Sequence, residues 1–112
     1  MGGRMLIFMQ LKTQLYIDGK WVNGVSTLPV TDPSDNSVIA NVQVSSDKEC
    51  ADAVDAAARA FKSWSKTAPR VRGEVLRKAF EIMVAEADRL AEIISKENGK
   101  VLTDAKGEIL YA

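Results

Sequence analysis

Ser46-Asp47-Lys48-Glu49-Cys50-Ala51-Asp52-Ala53-Val54-Asp55-Ala56-Ala57-Ala58-Arg59-Ala60-Phe61-Lys62-Ser63-Trp64 is the stretch at which the chain changes character. Its first four residues have the form of a capping box. The Ser46 hydroxyl can accept from the third helical amide while Glu49 reaches back to the Ser46 amide. Behind the cap, Cys50, Val54, Ala57 and Phe61, with Ala53, Ala60 and Trp64, recur at three- and four-residue spacings. That pattern predicts a helix with one wide apolar stripe. Asp55 and Arg59, four apart, predict an ion pair on the polar side. Charge density changes at the same place. Residues 1–45 hold only Arg4, Lys12, Lys20, Asp18, Asp32 and Asp35, so twelve charges of each sign follow. Dense, balanced charge is what solvated helix faces require.

Toward the N-terminus the signals are those of strands. Leu15-Tyr16-Ile17 and Lys20-Trp21-Val22 flank Asp18-Gly19, a pair suited to a type I′ hairpin because both turn residues tolerate positive φ. Asn23-Gly24 ends the second arm. Leu28-Pro29-Val30-Thr31 reads as extended, its proline limiting it to an edge or a strand start. Asp32-Pro33-Ser34-Asp35-Asn36 is a dense turn signal. In Val38–Val44, Ala40, Val42 and Val44 alternate with Asn41 and Gln43, which predicts one buried face. Two-stranded pieces are marginal alone and need a surface to lie on.

Toward the C-terminus the helices continue. Pro69 suits the first turn of a second helix, where its missing N–H costs nothing. Val75, Leu76, Ala79, Phe80 and Met83 mark its expected buried side, and Glu74 with Lys78 its wet side. Asp88 is the expected cap of a third helix, with Leu90, Ile93 and Ile94 inward, Glu92 and Lys96 outward, and Gly99 as its stop. Thr103, Asp104 and Glu108 open a fourth helix carrying Ile109 and Leu110, which ends with the chain at Ala112. So short a helix is unstable in isolation, and the expectation is a truncated domain.

Composition removes several chemistries. The 112 residues contain no histidine and one cysteine, so there is no imidazole base, no His-ligated metal and no internal disulfide. Fifteen basic and fifteen acidic residues cancel, which gives no drive toward phosphate backbones; neither a nucleic-acid partner nor a DNA-binding helical domain is expected. The glycines at 2, 3, 19, 24, 73, 99 and 107 form no phosphate-cradling loop. Cys50 lies at a helix start, where a thiolate is favoured, but no base or oxyanion donor can be assigned beside it, and a core role is expected. Glu92, Glu97, Asp104 and Glu108 could pair as acid and base; capping and solvation account for each more simply. Asp32, Asp35 and Asn36 could face a hard cation, yet lack the loop length and terminal glutamate of a calcium site. Trp21 and Trp64 are expected to anchor packing. No catalytic, cofactor-binding or metal-binding residue is assigned.

Residues 1–13 are expected to be a flexible leader. Met5-Leu6-Ile7-Phe8-Met9 is too short for a signal-peptide core or a membrane span, so no membrane partner is expected, and a cytoplasmic location follows by default.

The ordered series of segments resembles the opening of the aldehyde dehydrogenase superfamily. It comprises Leu15-Tyr16-Ile17-Asp18-Gly19-Lys20-Trp21, the run from Thr31 to Val42, the run from Ala53 to Trp64, Arg72-Gly73-Glu74-Val75-Leu76-Arg77-Lys78, and the run from Leu90 to Lys100. Asp104-Ala105-Lys106-Gly107-Glu108-Ile109-Leu110-Tyr111-Ala112 is similar to the succinate-semialdehyde dehydrogenase branch in particular. The match covers residues 14–112, which the resemblance makes the N-terminal part of a cofactor-binding domain. It implies an α/β fold, locally α+β: peripheral strands and outer helices of a Rossmann-like domain whose parallel sheet is absent here.

The resemblance also implies an oxidoreductase that passes hydride from an aldehyde adduct to NAD or NADP. In that family a cysteine thiolate attacks, a glutamate activates water, and an asparagine with a backbone amide stabilises the oxyanion. Those residues match no position in 1–112; Cys50, Glu97 and Glu108 do not correspond to them. The implied parent enzyme takes a small aldehyde substrate and is a homo-oligomer, while the segment alone is expected to be inactive and to bind no cofactor. The rival reading is a non-enzymatic module or remnant whose helix stripes dock on another chain.

Overall fold

The computed structural model describes residues 11–112. The stretch Met5–Met9 and most of the expected leader lie outside the described residues. Thr13, at the leader's expected end, is engaged: its carbonyl accepts from the Gln43 N–H at 2.9 Å.

Strands β1 (Leu15–Ile17) and β2 (Lys20–Val22) form an antiparallel hairpin in the register Leu15↔Val22, Tyr16↔Trp21 and Ile17↔Lys20. Its turn has φ 51° at Asp18 and 76° at Gly19, the two positive values that a type I′ turn demands. Strands β3 (Ser26–Thr31) and β4 (Val38–Val44) form a second antiparallel pair from Ser26↔Val44 to Thr31↔Val38. A register irregularity falls between Val30 and Thr31. Pro29, which has no N–H to give, stands opposite Asn41. Between these strands Asp32 and Asp35 accept from the amides of Ser34 and Ser37 at 2.9 and 2.8 Å, and Asn36 adopts φ 59°. The turn expected at 32–36 is thus built from side-chain bonds to its own backbone.

Helix α1 (Asp47–Trp64) begins at the Ser46 capping box, with both reciprocal bonds present. Helix α2 (Pro69–Ala85) starts on its proline as expected; Ala68 is its N-cap and contributes no side-chain bond. Helix α3 (Ala87–Asn98) follows after the single residue Glu86 and is closed by Gly99 in the left-handed region, φ 72°. Helix α4 (Leu102–Tyr111) starts at Val101. The expected Asp88 cap is corrected, and the fourth helix opens one residue before Thr103. Asp88 lies inside the first turn of α3, and neither Glu86 nor Val101 makes a side-chain cap bond. Asp88 instead pairs across to Lys106 of α4 at 2.5 Å.

Packing also differs from expectation. Among the described residues the buried hydrophobic ones are Ala56, Ala87, Ala91 and Ala105, and no large side chain is fully buried. Ala91 and Ala105, 1% and 0% exposed, lie on α3 and α4, the two helices that pack most closely on each other. The residues predicted to be inside are mostly outside. Val54, Ala57, Phe61 and Cys50 on α1 are exposed, as are Val75, Leu76 and Phe80 on α2; Met83 is half-buried. Leu90, Ile93 and Ile94 are half-buried, matching their expected direction. Trp21 and Trp64 remain 45% and 43% exposed, so neither is an enclosed anchor. On β4, Ala40, Val42 and Val44 are half-buried, but so are Ile39 and Gln43.

The expected Asp55–Arg59 pairing is corrected, whereas Glu74 and Lys78 are exposed as expected. Arg59 reaches Asp18 of the β1–β2 turn at 3.3 Å, tying α1 to the first hairpin. Glu74 pairs with Arg77, which also holds Glu81.

Candidate functional site

Cys50 is a free, exposed thiol on the first turn of α1. Its Sγ lies 3.3 Å from the Ser45 hydroxyl. The nearby carboxylate is committed elsewhere: Glu49 accepts from the Ser46 hydroxyl at 2.5 Å and the Ser46 amide at 2.7 Å. Those two bonds, the hydroxyl first, hold the Glu49 carboxyl below its ordinary value. A carboxylate so held is a helix cap and a poor proton acceptor for a thiol. The core role expected for Cys50 is not seen.

The other candidate acids do not converge. Glu108 is paired with Lys100. Asp104 sits in the first turn of α4, where its charge suits the helix N-terminus. Glu92 and Glu97 are exposed on α3. At the 32–36 turn the Ser37 hydroxyl and then its amide hold the Asp35 carboxyl below its usual value. Among the described residues no group of three or more His, Cys, Asp or Glu side chains could hold a metal ion.

Two places carry more structure. A groove of about 270 Å³ runs between α2 and α4, walled by Leu76, Ala79, Phe80, Met83, Val84, Ile109 and Leu110. Every side chain lining it, that of Ala112 included, is apolar, so it suits burial against another surface better than chemistry. The second place is the base of the first hairpin. The Gln43 backbone N–H donates to Thr13, while its side-chain Oε1 accepts from the Gly24 N–H at 2.8 Å. One step further in, Gln14 Nε2 donates to Asn23 Oδ1 at 2.8 Å. Gly24 is required there, since a Cβ would stand 2.0 Å from the Val44 carbonyl oxygen. In the sequence Asn23-Gly24 reads as a strand end and Gln43 as a polar position in the β4 alternation, and neither pattern points to the bond between them.

Two antiparallel strand pairs lead into four helices, and among the described residues no metal-binding cluster is assembled. A profile of the aldehyde dehydrogenase family matches residues 21–112, and the chain belongs to that family. It is 44% identical over 98 residues to the NADP(+) succinate-semialdehyde dehydrogenase of Saccharomyces cerevisiae, covering 87% of this chain and 20% of that protein. The crystal structure of an aldehyde dehydrogenase from Brucella melitensis biovar abortus 2308 superposes with a TM-score of 0.88 at 39% identity, over 90% of this chain and 21% of that one. Betaine aldehyde dehydrogenase from Staphylococcus aureus, in complex with NAD+, superposes with a TM-score of 0.86 at 28% identity, over 89% and 21%. The chain therefore spans about a fifth of the length of the relatives it matches. Among the described residues no helix is long and apolar enough to cross a membrane.

Proposed function

We propose that these residues are the N-terminal scaffold of an NAD(P)-dependent semialdehyde dehydrogenase, which oxidises its substrate to the carboxylate as a homo-oligomer. The reading rests on one observation: the 98-residue match at 44% identity to a succinate-semialdehyde dehydrogenase. The exposed faces of α1 and α2 support it. Val54, Phe61, Leu76 and Phe80 stay 64–72% exposed, an arrangement that gains most of its hydrophobic free energy only when a further layer covers it. Residues 1–112 carry no assigned nucleophile, general base or nucleotide cradle, so alone they are inactive and hold neither NAD nor NADP. The cytoplasm is the proposed compartment by default, Met5-Leu6-Ile7-Phe8-Met9 being too short for a signal-peptide core.

The test is a graft. Residues 14–112 replace the corresponding segment of the yeast relative, and NADP(+) reduction with succinate semialdehyde is followed. The graft is expected to be active and the 112-residue chain silent. An inactive but folded graft, or hydride transfer by the chain alone, would overturn the proposal. The exposed helix faces also suit the rival reading of an interaction module. A cooperative melt of the lone chain together with a discrete stoichiometric complex would favour it; loose packing with dye binding would favour the scaffold.

A further inference from the structure

Asn-Gly is the dipeptide most prone to cyclise on itself, because glycine leaves the following amide nitrogen sterically free to reach the asparagine side chain. Asn23 is exposed and Gly24 half-buried, yet both reacting groups are held. The nucleophile, Gly24 N, donates its hydrogen to Gln43 Oε1 at 2.8 Å. The electrophile, the Asn23 side-chain carbonyl, is fixed by Gln14 Nε2 at 2.8 Å. Immediately after, the Val25 N–H donates to the Val44 carbonyl at 2.9 Å, so the peptide lies against β4.

We propose that Asn23-Gly24 is a spontaneous modification site whose reactivity is gated by the fold through Gln43. In the reaction, Gly24 N loses its proton to solvent and attacks Cγ of Asn23. The new N–Cγ bond forms, the Cγ–Nδ2 bond breaks, and ammonia leaves with a proton from water. Water then opens the five-membered imide. Attack at Cγ gives aspartate; attack at the main-chain carbonyl gives isoaspartate, in which the backbone runs through the side chain. The first step requires the Gly24 amide to leave Gln43 and the Asn23 side chain to leave Gln14. The reaction therefore proceeds from the locally opened hairpin, and its rate reports that opening. The longer isoaspartyl backbone does not fit the spacing that lets Gln43 clasp Thr13 and Gly24 together. The inference concerns this chain's own chemistry and stands apart from the dehydrogenase reading.

The test follows the purified 112-residue chain at mildly alkaline pH, with and without urea. Mass spectrometry of the tryptic peptide 21–48 assigns conversion to Asn23, Asn36 or Asn41. Conversion at Asn23 is expected to be at least about tenfold slower in the native chain than in urea. Gln43→Ala raises the native rate toward the unfolded one, whereas Gln43→Glu, which keeps an acceptor for the Gly24 N–H, stays slow. Circular dichroism confirms that Gln43→Ala retains its helices. Should that variant unfold, the contrast between Gln43→Glu and urea-treated wild type carries the decision. Equal rates with and without urea, or a Gln43→Glu rate matching the unfolded chain, would overturn the proposal.

Discussion

Helices α3 and α4 and helices α1 and α2 are each about half apolar in sequence and end in opposite conditions. The first pair closes on itself: Ala87, Ala91 and Ala105 are buried at the contact, and Asp88–Lys106 and Lys100–Glu108 bridge its rim. The second pair has better local signals, a full capping box and a first-turn proline, yet displays Phe61, Leu76 and Phe80 to solvent. On α2 the Arg72 Nε is enclosed without an acceptor, the kind of unfinished polar contact that complete folds keep rare. The Ser46 cap and the first-turn Pro69 mark where α1 and α2 start, but neither signal settles which helices meet within this stretch.

The strongest way to break the contrast is to overfill the closed pair. Ala91→Leu should cost about 1–3 kcal/mol in urea unfolding, because no space exists for the added methylenes. Ala57→Leu on the open face of α1 should stay within about 0.5 kcal/mol. Equal costs would mean that the two faces are equally packed.

Next in size is the α1 cap. Ser46→Ala should lose about 1 kcal/mol of helix stability, read by hydrogen exchange over 47–50. Since the Glu49 carboxyl is held below its unfolded value, its contribution is present above the unfolded pKa and is lost as pH falls through the folded one. Glu49→Gln should flatten that acid limb.

A smaller gain is available on α2, whose N-cap is bare. Ala68→Ser supplies the missing acceptor at a residue already extended, with φ −53° and ψ 136°. It should raise the thermal midpoint by an amount equivalent to about 0.5 kcal/mol; no change would show that the first turn is already satisfied. Smallest is Leu76→Ser, expected within about 0.5 kcal/mol in urea unfolding of the lone chain, since Leu76 is 72% exposed. A large loss of stability would place Leu76 in a core that the structure does not show.

Much of the fold is legible in the residues, and the reasons are local. Asp18-Gly19, Ser46 with Glu49, Pro69 and Gly99 each act through their own backbone or a neighbour three or four residues away, and each does what its chemistry predicts. Failures begin where the outcome depends on distant packing. Asp88 looks like a cap, but α3 follows α2 so closely that Glu86 occupies that position, and the carboxylate is drawn to Lys106 instead. The alanines at 87, 91 and 105 carry too little hydrophobicity to stand out, although only so small a side chain permits the approach. The apolar stripes are correctly helical, but their burial cannot be read from within this stretch. Of candidate chemistry, a chain with no histidine and one cysteine excludes an imidazole base and an internal disulfide outright. The clasp at Gln43 is invisible, since its two bonds reach residues nineteen and thirty positions away.

The junction at Glu86 has a consequence for how this region can vary. One residue separates α2 from α3 and serves as C-cap of the first and N-cap of the second. Each residue of an α-helix advances the face by about 100°, so one amino acid inserted there would turn Ala87 and Ala91 away from Ala105 and bring longer side chains to the contact. Loops elsewhere can lengthen at small entropic cost, but this elbow keeps phase. Divergent sequences sharing the fold should therefore tolerate substitutions at 86 far more readily than any change in length, much as a gear tolerates a new finish but not an extra tooth.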